Sequence, residues 1–358
     1  MGLRLALLFG YTGGTVIIER RQFMIQISEA ILHVFDAIGV QEVLSAHPLN
    51  PHNVVMTEYI SHHIERGLAD PAASHAQFAE NSPVPRRVRE FAQGGENLVD
   101  FSQWLAGLFF SELRELEVQE NYHLILARFV TELGVPYLAI LALADKLAYT
   151  HAVESDDAGN LTASIALHHS IMPQPTQRVK GYAFINLEDF GVRLCDIKLK
   201  HDKETVRIFE EIVLGLIVEP SSRESYRHIR QMTLAVADDY SQDGVEALAR
   251  AKHFLAENAH ESDIVETRAL AEKAFPDSIQ MQNAFMGEVS YANLPENLVL
   301  EREFAAKQAT TYKLVADGDV NVTLPAEWYE DPERVEIRME QDGTTTITIR
   351  GIEHLTSK

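Results

Sequence analysis

The chain has 358 residues, with 31 Lys and Arg against 53 Asp and Glu, which gives a formal net charge of −22. With 46% hydrophobic and 23% charged residues, the composition is that of an ordinary globular protein, which excludes disorder throughout, and the length favours two or three modules over one. Because the net charge repels phosphate backbones and anionic membranes, any contact with DNA needs a local basic patch or an intermediary protein.

The first residues carry a short apolar run behind a single arginine, and Gly10, Gly13 and Gly14 interrupt the run. This segment is a poor signal peptide because no small-residue cleavage site follows it, and no stretch of the sequence reaches the ~18 consecutive apolar residues of a spanning helix. Met24 stands directly before the first well-patterned segment. We therefore predict that residues 1–23 are an upstream extension, which an intact-mass measurement of the natural protein would test.

Residues 24–200 are predicted to form an α+β module. Two strand-length apolar stretches surround Gly39, at residues 30–35 and 43–45, and predict a hairpin. Helical spacing follows in three segments, of which Asn53 caps the first. These segments are residues 54–68, 85–91 and 98–113.

The period of the apolar residues then changes from helix to strand. Three runs predict an antiparallel meander, and further strand candidates follow it. The runs are residues 123–130, 136–143 and 147–153, followed by 162–171, 179–187 and 191–199. Strands grouped around a helical insert indicate an α+β fold with an antiparallel sheet rather than alternating βαβ units.

The rest of the chain changes period twice. Residues 201–292 have helical spacing almost throughout, including a stripe of Ile208, Ile212 and Leu216, and predict a helical module. Residues 293–358 alternate in polarity and predict a small β-rich end-piece with Asp342-Gly343 as a hairpin turn. Its strands are expected at 312–315, 320–324, 335–339 and 344–349.

Four segments together point to a known family. They are Ala30-Ile-Leu-His-Val-Phe-Asp36 with the following Val43-Leu-Ser45, Tyr137-Leu-Ala-Ile-Leu141 through His151, Tyr182-Ala-Phe-Ile-Asn-Leu187, and Asp342-Gly-Thr-Thr-Thr-Ile-Thr-Ile-Arg-Gly-Ile352. In order, spacing and length, from about Met24 to Leu355, the chain resembles the bacterial nucleoid-associated proteins known as NdpA or YejK-like. No single motif is specific to that family, so the resemblance rests on collinearity.

The resemblance implies association with the nucleoid in the bacterial cytoplasm. It implies partners among chromosomal DNA and nucleoid proteins, and it supplies no catalytic residue. From the charge we expect no membrane partner, and from the residues we expect no cofactor or metal. We therefore expect a non-enzymatic protein, which contacts DNA directly or through a DNA-bound partner.

Three clusters of basic residues are candidates for a local DNA-binding patch. The sharpest is an arginine triplet whose i, i+4 and i+7 spacing places it on one helical face, suited to phosphate contacts. Acidic residues accompany all three clusters, so a solvated surface is the alternative for each, and such patterns indicate it more often. The clusters are Arg223, Arg227 and Arg230; Arg86, Arg87 and Arg89; and Lys198 and Lys200, with Lys203, Arg178 and Lys180 nearby in sequence.

Catalytic motifs are missing from the sequence. It contains no His-Glu-x-x-His, no Gly-x-Ser-x-Gly, no phosphate-binding loop ending in Gly-Lys-Ser/Thr and no Gly-x-Gly-x-x-Gly. The pairs Asp156-Asp157 and Asp238-Asp239 would need further convergent oxygens to hold Mg²⁺.

Two isolated residues have ordinary structural interpretations. The single cysteine, Cys195, excludes a disulfide framework, fits a reducing compartment and is expected to be a small buried residue. His33 lies in an apolar run and is expected to be partly buried and hydrogen-bonded.

The favoured hypothesis is a nucleoid-associated protein without enzymatic activity. Two alternatives from other classes remain: a metal-dependent hydrolase acting on nucleic acid, and an acidic DNA mimic or adaptor that binds a basic partner. A homodimer is also expected, because exposed strand edges need covering.

Overall fold

The computed structural model describes residues 25–37, 39, 41–155, 157, 159–329, 331–340, 344–352 and 354. These residues form an α+β fold, as the sequence predicts. Among them, no helix is long and apolar enough to cross a membrane. The predicted extension over 1–23 and the predicted turn at Asp342-Gly343 lie outside the described residues.

The strands of the described residues are, in chain order, Gln26–Asp36 (β1), Gln41–Val43 (β2), Ser74–Phe78 (β3), Tyr122–Val130 (β4), Pro136–Ala144 (β5), Lys146–Ser155 (β6), Leu161–Ile171 (β7), Gly181–Asn186 (β8), Val192–Cys195 (β9), Lys198–His201 (β10), Glu204–Arg207 (β11), Leu216–Val218 (β12), Ile264–Glu266 (β13), Asn297–Val299 (β14), Thr311–Ala316 (β15), Val320–Pro325 (β16), Val335–Met339 (β17) and Thr345–Ile349 (β18).

The helices of the same residues are Val54–Leu68 (α1), Val84–Ala92 (α2), Leu98–Glu115 (α3), Ser222–Asp239 (α4), Gly244–Asn258 (α5), Thr267–Ala274 (α6), Ile279–Tyr291 (α7), Arg302–Ala309 (α8) and Ala326–Tyr329 (α9). A π-helical turn covers Ile208–Val213. The predicted start of α1 is confirmed, because the side chain of Asn53 accepts a hydrogen bond from the Met56 N–H at 3.3 Å.

One large antiparallel sheet organises the first part of the chain, with the strand order β12-β3-β9-β8-β5-β4-β1-β2. Alternate residues of β4 belong to cores on opposite faces. Leu126 shares one core with Phe109 of α3, and Ala127 shares the other with Ile60 of α1. Because both faces are covered, the central strands read as continuous apolar runs instead of alternating ones.

Two predictions for this part of the chain are wrong. Residues 147–153 do not continue the predicted meander. In the large sheet β5 lies between β4 and β8, whereas β6, which contains residues 147–153, pairs with β7 in a separate ribbon. Residues 204–218 are not regular α-helix but β11, the π-helical turn and β12. Leu216 of β12 pairs opposite Phe78 of β3, so pairing with the sheet edge overrides the helical spacing.

A third core lies among α4, α5, α6, α7 and α8. Helix α8 was not predicted, because its residues fall in the segment expected to be β-rich; its Ala305 is 2% exposed in this core. The four predicted strands near the end are confirmed as two antiparallel hairpins, β15 with β16 and β17 with β18.

Candidate nucleic-acid interface

Helix α4 begins at the edge of the large sheet. Strand β12 pairs with β3 at that edge, and a short connection then leads to Ser221, the N-cap of α4. Ser221 and Glu224 form a capping box, in which the Ser221 hydroxyl oxygen accepts from the Glu224 N–H at 3.3 Å and the Glu224 carboxylate accepts from the Ser221 N–H at 3.1 Å. The Arg223 N–H donates to the Pro71 carbonyl oxygen at 3.1 Å, so the first turn of α4 is tied to the loop before β3.

The three arginines of α4 are exposed, while the opposite side of the helix packs inward. Ile229 and Val236 are 0% and 1% exposed, which leaves Arg223, Arg227 and Arg230 on the solvent side. The predicted common face of the triplet is therefore present in the folded protein. Its use in binding DNA stays a prediction.

A cavity of about 640 Å³ lies between the first turns of α4 and the sheet. Two of its basic residues come from α4, and four come from segments more than 20 positions earlier in the chain. Cys195 and Asp196 also contribute to its wall. The basic residues around this first cavity are Lys146, Arg178, Lys180, Lys198, Arg223 and Arg227.

A second cavity, of about 360 Å³, adjoins the first along α4, because Arg223 and Arg227 line both. Arg230 of α4 and Lys307 of α8 add two more cations to its wall. The ring of Tyr226 packs edge-on against Phe304 with ring centroids 6.0 Å apart and forms the apolar part of the wall. We call the two cavities together the basic groove.

The cations of the groove fall into two groups. Arg178 is bound to Asp70, with Nη2 and Oδ2 3.0 Å apart, and Lys180 to Glu120, with Nζ and Oε2 2.7 Å apart. Among the described residues, the other cations of the groove have no carboxylate within 4 Å, and we call them the free cations. They are Lys146, Lys198, Arg223, Arg227, Arg230 and Lys307.

Two carboxylates lie in the wall of the first cavity. Burial raises the pKa of Glu224, but hydrogen bonds from Ser221 and the nearby charges of Lys198 and Arg227 outweigh it, so the pKa is lowered and the carboxylate stays ionised. Burial raises the pKa of Asp196 despite three backbone N–H donors. With six cations against two carboxylates, the wall of this cavity is positive in a protein of charge −22.

The α2 arginines lie elsewhere and are held by other side chains. Arg86 pairs with Glu90 at 3.1 Å, and Arg87 forms an ion pair with Glu96 while its guanidinium lies 4.2 Å from the centroid of the Trp104 ring. The guanidinium of Arg89 lies 5.3 Å from the centroid of the Phe190 ring. None of the three lines the basic groove, so the structure does not bring this cluster together with the α4 triplet.

The third predicted cluster is divided by the structure. Lys198 lies in the wall of the groove, whereas Lys200 is exposed on β10 outside it. Arg178 and Lys180, expected only as sequence neighbours, lie in the wall beside Lys198. Lys146 and Lys307 were missed by the sequence analysis, because each is a lone lysine that no local pattern distinguishes.

Cys195 is not the fully buried residue that was expected. Its side chain is partly exposed in the wall of the first cavity, where the Arg178 guanidinium donates to Sγ at 3.5 Å. Burial raises the pKa of the thiol although the charge of Arg178 lowers it. The thiol is therefore mainly protonated, which makes it a weak nucleophile.

Buried histidines and acidic pairs do not form a metal centre within the described residues, where no group of three or more His, Cys, Asp and Glu side chains could hold a metal ion. His33 is 0% exposed rather than partly buried, and its Nδ1 accepts from the Ser45 N–H at 3.0 Å. Burial lowers the pKa of His33 to about 4, so it is neutral near pH 7. Asp156 lies outside the described residues.

Comparison with known families matches residues 31–355 to the family of nucleoid-associated protein YejK. The chain belongs to the YejK family. The resemblance noted in the sequence is thereby confirmed over nearly its whole length. The comparison with curated proteins gives no match.

The basic groove is therefore a feature of a protein of a nucleoid-associated family. The family match covers residues 31–355, so every residue that supplies a cation to the groove lies within it.

Proposed function

We propose that this YejK family member associates with the nucleoid by binding the phosphate backbone of DNA in the basic groove, without catalysing a reaction. The observation that carries the proposal is the grouping of six free cations in the basic groove, three on α4 and one each on β6, β10 and α8. In a protein with 22 more acidic than basic residues, six such cations on one connected surface form a local basic patch that attracts phosphate.

The electrostatics favour contact at short range. At 0.1 M salt, interactions between exposed charges are largely screened beyond about 10 Å. DNA at the groove therefore interacts more strongly with the free cations than with the distant acidic surface. Arginine and lysine bind phosphate oxygens through charge-assisted hydrogen bonds, which fix position on a duplex without selecting a sequence. The proposed contact is therefore local, salt-sensitive and weakly sequence-specific.

The cellular setting of this proposal is the bacterial cytoplasm, with chromosomal DNA as the partner. Family membership supports that setting, and the groove supplies a physical means of contact. The acidic remainder of the surface limits how much DNA one molecule covers, because phosphates beyond the groove meet like charge.

A titration of the purified full-length protein into a labelled duplex tests the proposal. If all six free cations contact phosphates, affinity falls about 10³-fold between about 50 and 200 mM salt, a log-log slope of about −5. A slope near zero, or an absence of binding at low salt, contradicts direct contact. In the second case a protein partner recognised by the acidic surface becomes the better explanation.

A charge-reversal variant tests the location of the contact. Changing Arg223, Arg227 and Arg230 together to Glu is expected to abolish binding. The matched control changes three exposed cations that do not line the groove, Arg86, Arg268 and Lys273, to Glu. Each such change lowers the net charge by two, so both variants go from −22 to −28. Equal loss of binding in both variants would show that net charge, and not the groove, governs binding.

A further inference from the structure

Strands β6 and β7 form an antiparallel ribbon that leaves the large sheet. Within the described residues they pair only with each other, from Lys146 opposite Ile171 to Ser155 opposite Leu161. The base of the ribbon is fixed by Asp145, whose carboxylate accepts from the Asn121 side-chain amide at 3.2 Å and lies 2.5 Å from Nε2 of His123. The ribbon is therefore anchored at one end.

One face of the ribbon is apolar and uncovered. In the register of the two strands, Tyr149 lies opposite Leu167, His151 opposite Ile165, Val153 opposite Ala163, and Ser155 opposite Leu161. These residues share one face, on which His151 and Ser155 are the polar members. All six large apolar side chains of this face are exposed to solvent. Their exposed fractions are Leu147 66%, Tyr149 80%, Val153 56%, Leu161 74%, Ile165 83% and Leu167 41%.

The opposite face has a different composition. It carries alanines and polar side chains, so the ribbon separates an apolar side from a polar side. The polar residues of this face are Thr150, Glu154, Thr162, Ser164 and His168. Isolated two-stranded ribbons are marginally stable in water, and contiguous exposed apolar patches of several hundred Å² mark interaction sites. A covering partner would therefore stabilise the ribbon.

We propose that the apolar face of the β6–β7 ribbon is the surface through which two copies of this chain associate. The available area fits such a dimer. At roughly 100 Å² for each of the six large side chains, the face offers about 600 Å², close to the ~800 Å² that each partner contributes to a standard protein interface. A two-fold axis through the ribbon places the same face on both sides of the contact, as a closed dimer requires.

Charge also favours a second copy as the occupant. Two molecules of charge −22 repel each other over most of their surfaces. From Leu147 to Ser155 and from Leu161 to Leu167, this face carries no Lys, Arg, Asp or Glu, and His151 is its one titratable side chain. Two like copies can therefore approach on this face without burying an unpaired carboxylate, ammonium or guanidinium group. DNA fits this face poorly because phosphates need cations, and an anionic membrane is repelled by the chain as a whole.

This proposal does not depend on DNA contact in the basic groove. Lys146 is the one ribbon residue that lines the groove, and it lies at the base of the ribbon outside the apolar face. The two proposals can therefore fail separately.

Sedimentation velocity of the full-length protein tests the ribbon contact. The wild type is expected to sediment at twice its monomer mass of 40.2 kDa at micromolar concentration. The double change Tyr149→Glu with Ile165→Glu is expected to raise the dimer dissociation constant at least ~100-fold, because each carboxylate would be buried in an apolar interface without a partner.

The matched control places two glutamates on the other face of the same strands, by Thr150→Glu with Ser164→Glu, and is expected to leave the dimer intact. Circular dichroism of both variants checks that each remains folded. A monomeric wild type at tens of micromolar overturns the proposal, and so does equal dissociation of folded forms of the two variants. A monomer that cosediments with phosphatidylcholine vesicles also overturns it, in favour of lipid as the occupant.

Discussion

Helices α2 and α4 each carry three arginines within eight consecutive residues, yet the two sets have opposite surroundings. On α2, Arg86 and Arg87 are paired with carboxylates, and Arg87 and Arg89 lie against aromatic rings. On α4, the guanidinium groups have no carboxylate within 4 Å among the described residues, and all three arginines line the basic groove.

The difference shows that the availability of a cation is a property of the fold and not of local spacing. A guanidinium that is already bound to Glu96 and packed on Trp104 must give up those contacts before it can bind phosphate. A free guanidinium exchanges only water and counterions. We therefore expect the α4 set to contribute to binding and the α2 set to contribute to stability.

The largest expected effect comes from neutralising each set in turn. Changing Arg223, Arg227 and Arg230 to Ala is expected to weaken duplex binding by about 10²-fold or more at low salt and to reduce the log-log salt slope by about 2.7, since each phosphate contact contributes about 0.9. The same change at Arg86, Arg87 and Arg89 is expected to leave the slope unaltered. Fluorescence anisotropy over a salt series measures both, and equal slopes for the two variants would break the comparison.

The next effect concerns stability. Arg87→Leu is expected to lower the free energy of unfolding by about 2 kcal/mol, because it removes a largely buried charge-assisted pair and leaves Glu96 without its partner. Urea unfolding followed by circular dichroism measures the change. Arg227→Leu is the matched control on α4 and is expected to change stability by less than about 0.5 kcal/mol. A larger loss of unfolding free energy for Arg227→Leu than for Arg87→Leu would show that the α4 arginines, and not the α2 arginines, stabilise the fold.

A smaller effect is expected from converting a paired cation of the groove into a free one. Glu120→Gln removes the carboxylate that holds Lys180. We expect duplex affinity at low salt to rise several-fold and the salt slope to steepen by about 0.9, the amount of one added phosphate contact. The control is Glu90→Gln, which releases Arg86 away from the groove and is expected to leave the slope unchanged. Identical salt series for the two variants would show that the Glu120 pair does not limit binding.

The smallest effect is expected at Arg86 itself. Its ion pair with Glu90 is solvent-exposed and spans one helical turn, so Arg86→Ala is expected to change the free energy of unfolding by no more than about 0.5 kcal/mol and to leave DNA binding unchanged. Thermal unfolding and anisotropy measure the two quantities. A clear loss of DNA binding would bring α2 into the interface.

Much of the fold was predictable from the sequence, because neighbouring residues alone determine many helix starts, helix faces and hairpins. The cap at Asn53, the apolar periods of α1, α3 and α4, and the closing hairpins are of this kind. The failures share a physical cause. Residues 147–153 have strand pattern and are a strand, but their partner β7 could be chosen only by the whole topology. Residues 216–218 follow a helical stripe, but pairing with β3 decides their conformation.

The candidate site was predictable to a lesser degree. The common face of Arg223, Arg227 and Arg230 follows from helical geometry alone, so the sequence identified the centre of the groove. The sequence also proposed the α2 arginines as a DNA-binding patch, and no local sequence feature distinguishes the α2 set from the α4 set. Lys146 and Lys307 join the groove from positions about 80 residues before and after the triplet, which no pattern of neighbouring residues could reveal.

The sequence by itself determined the family, the α+β class, the main elements and the acidic charge, because these depend on composition, local periodicity and collinear order. Only the tertiary structure decided which cations remain free and which apolar strand face remains uncovered. Ion pairing and burial depend on distances through space, and those distances are set by the packing of segments far apart in the chain.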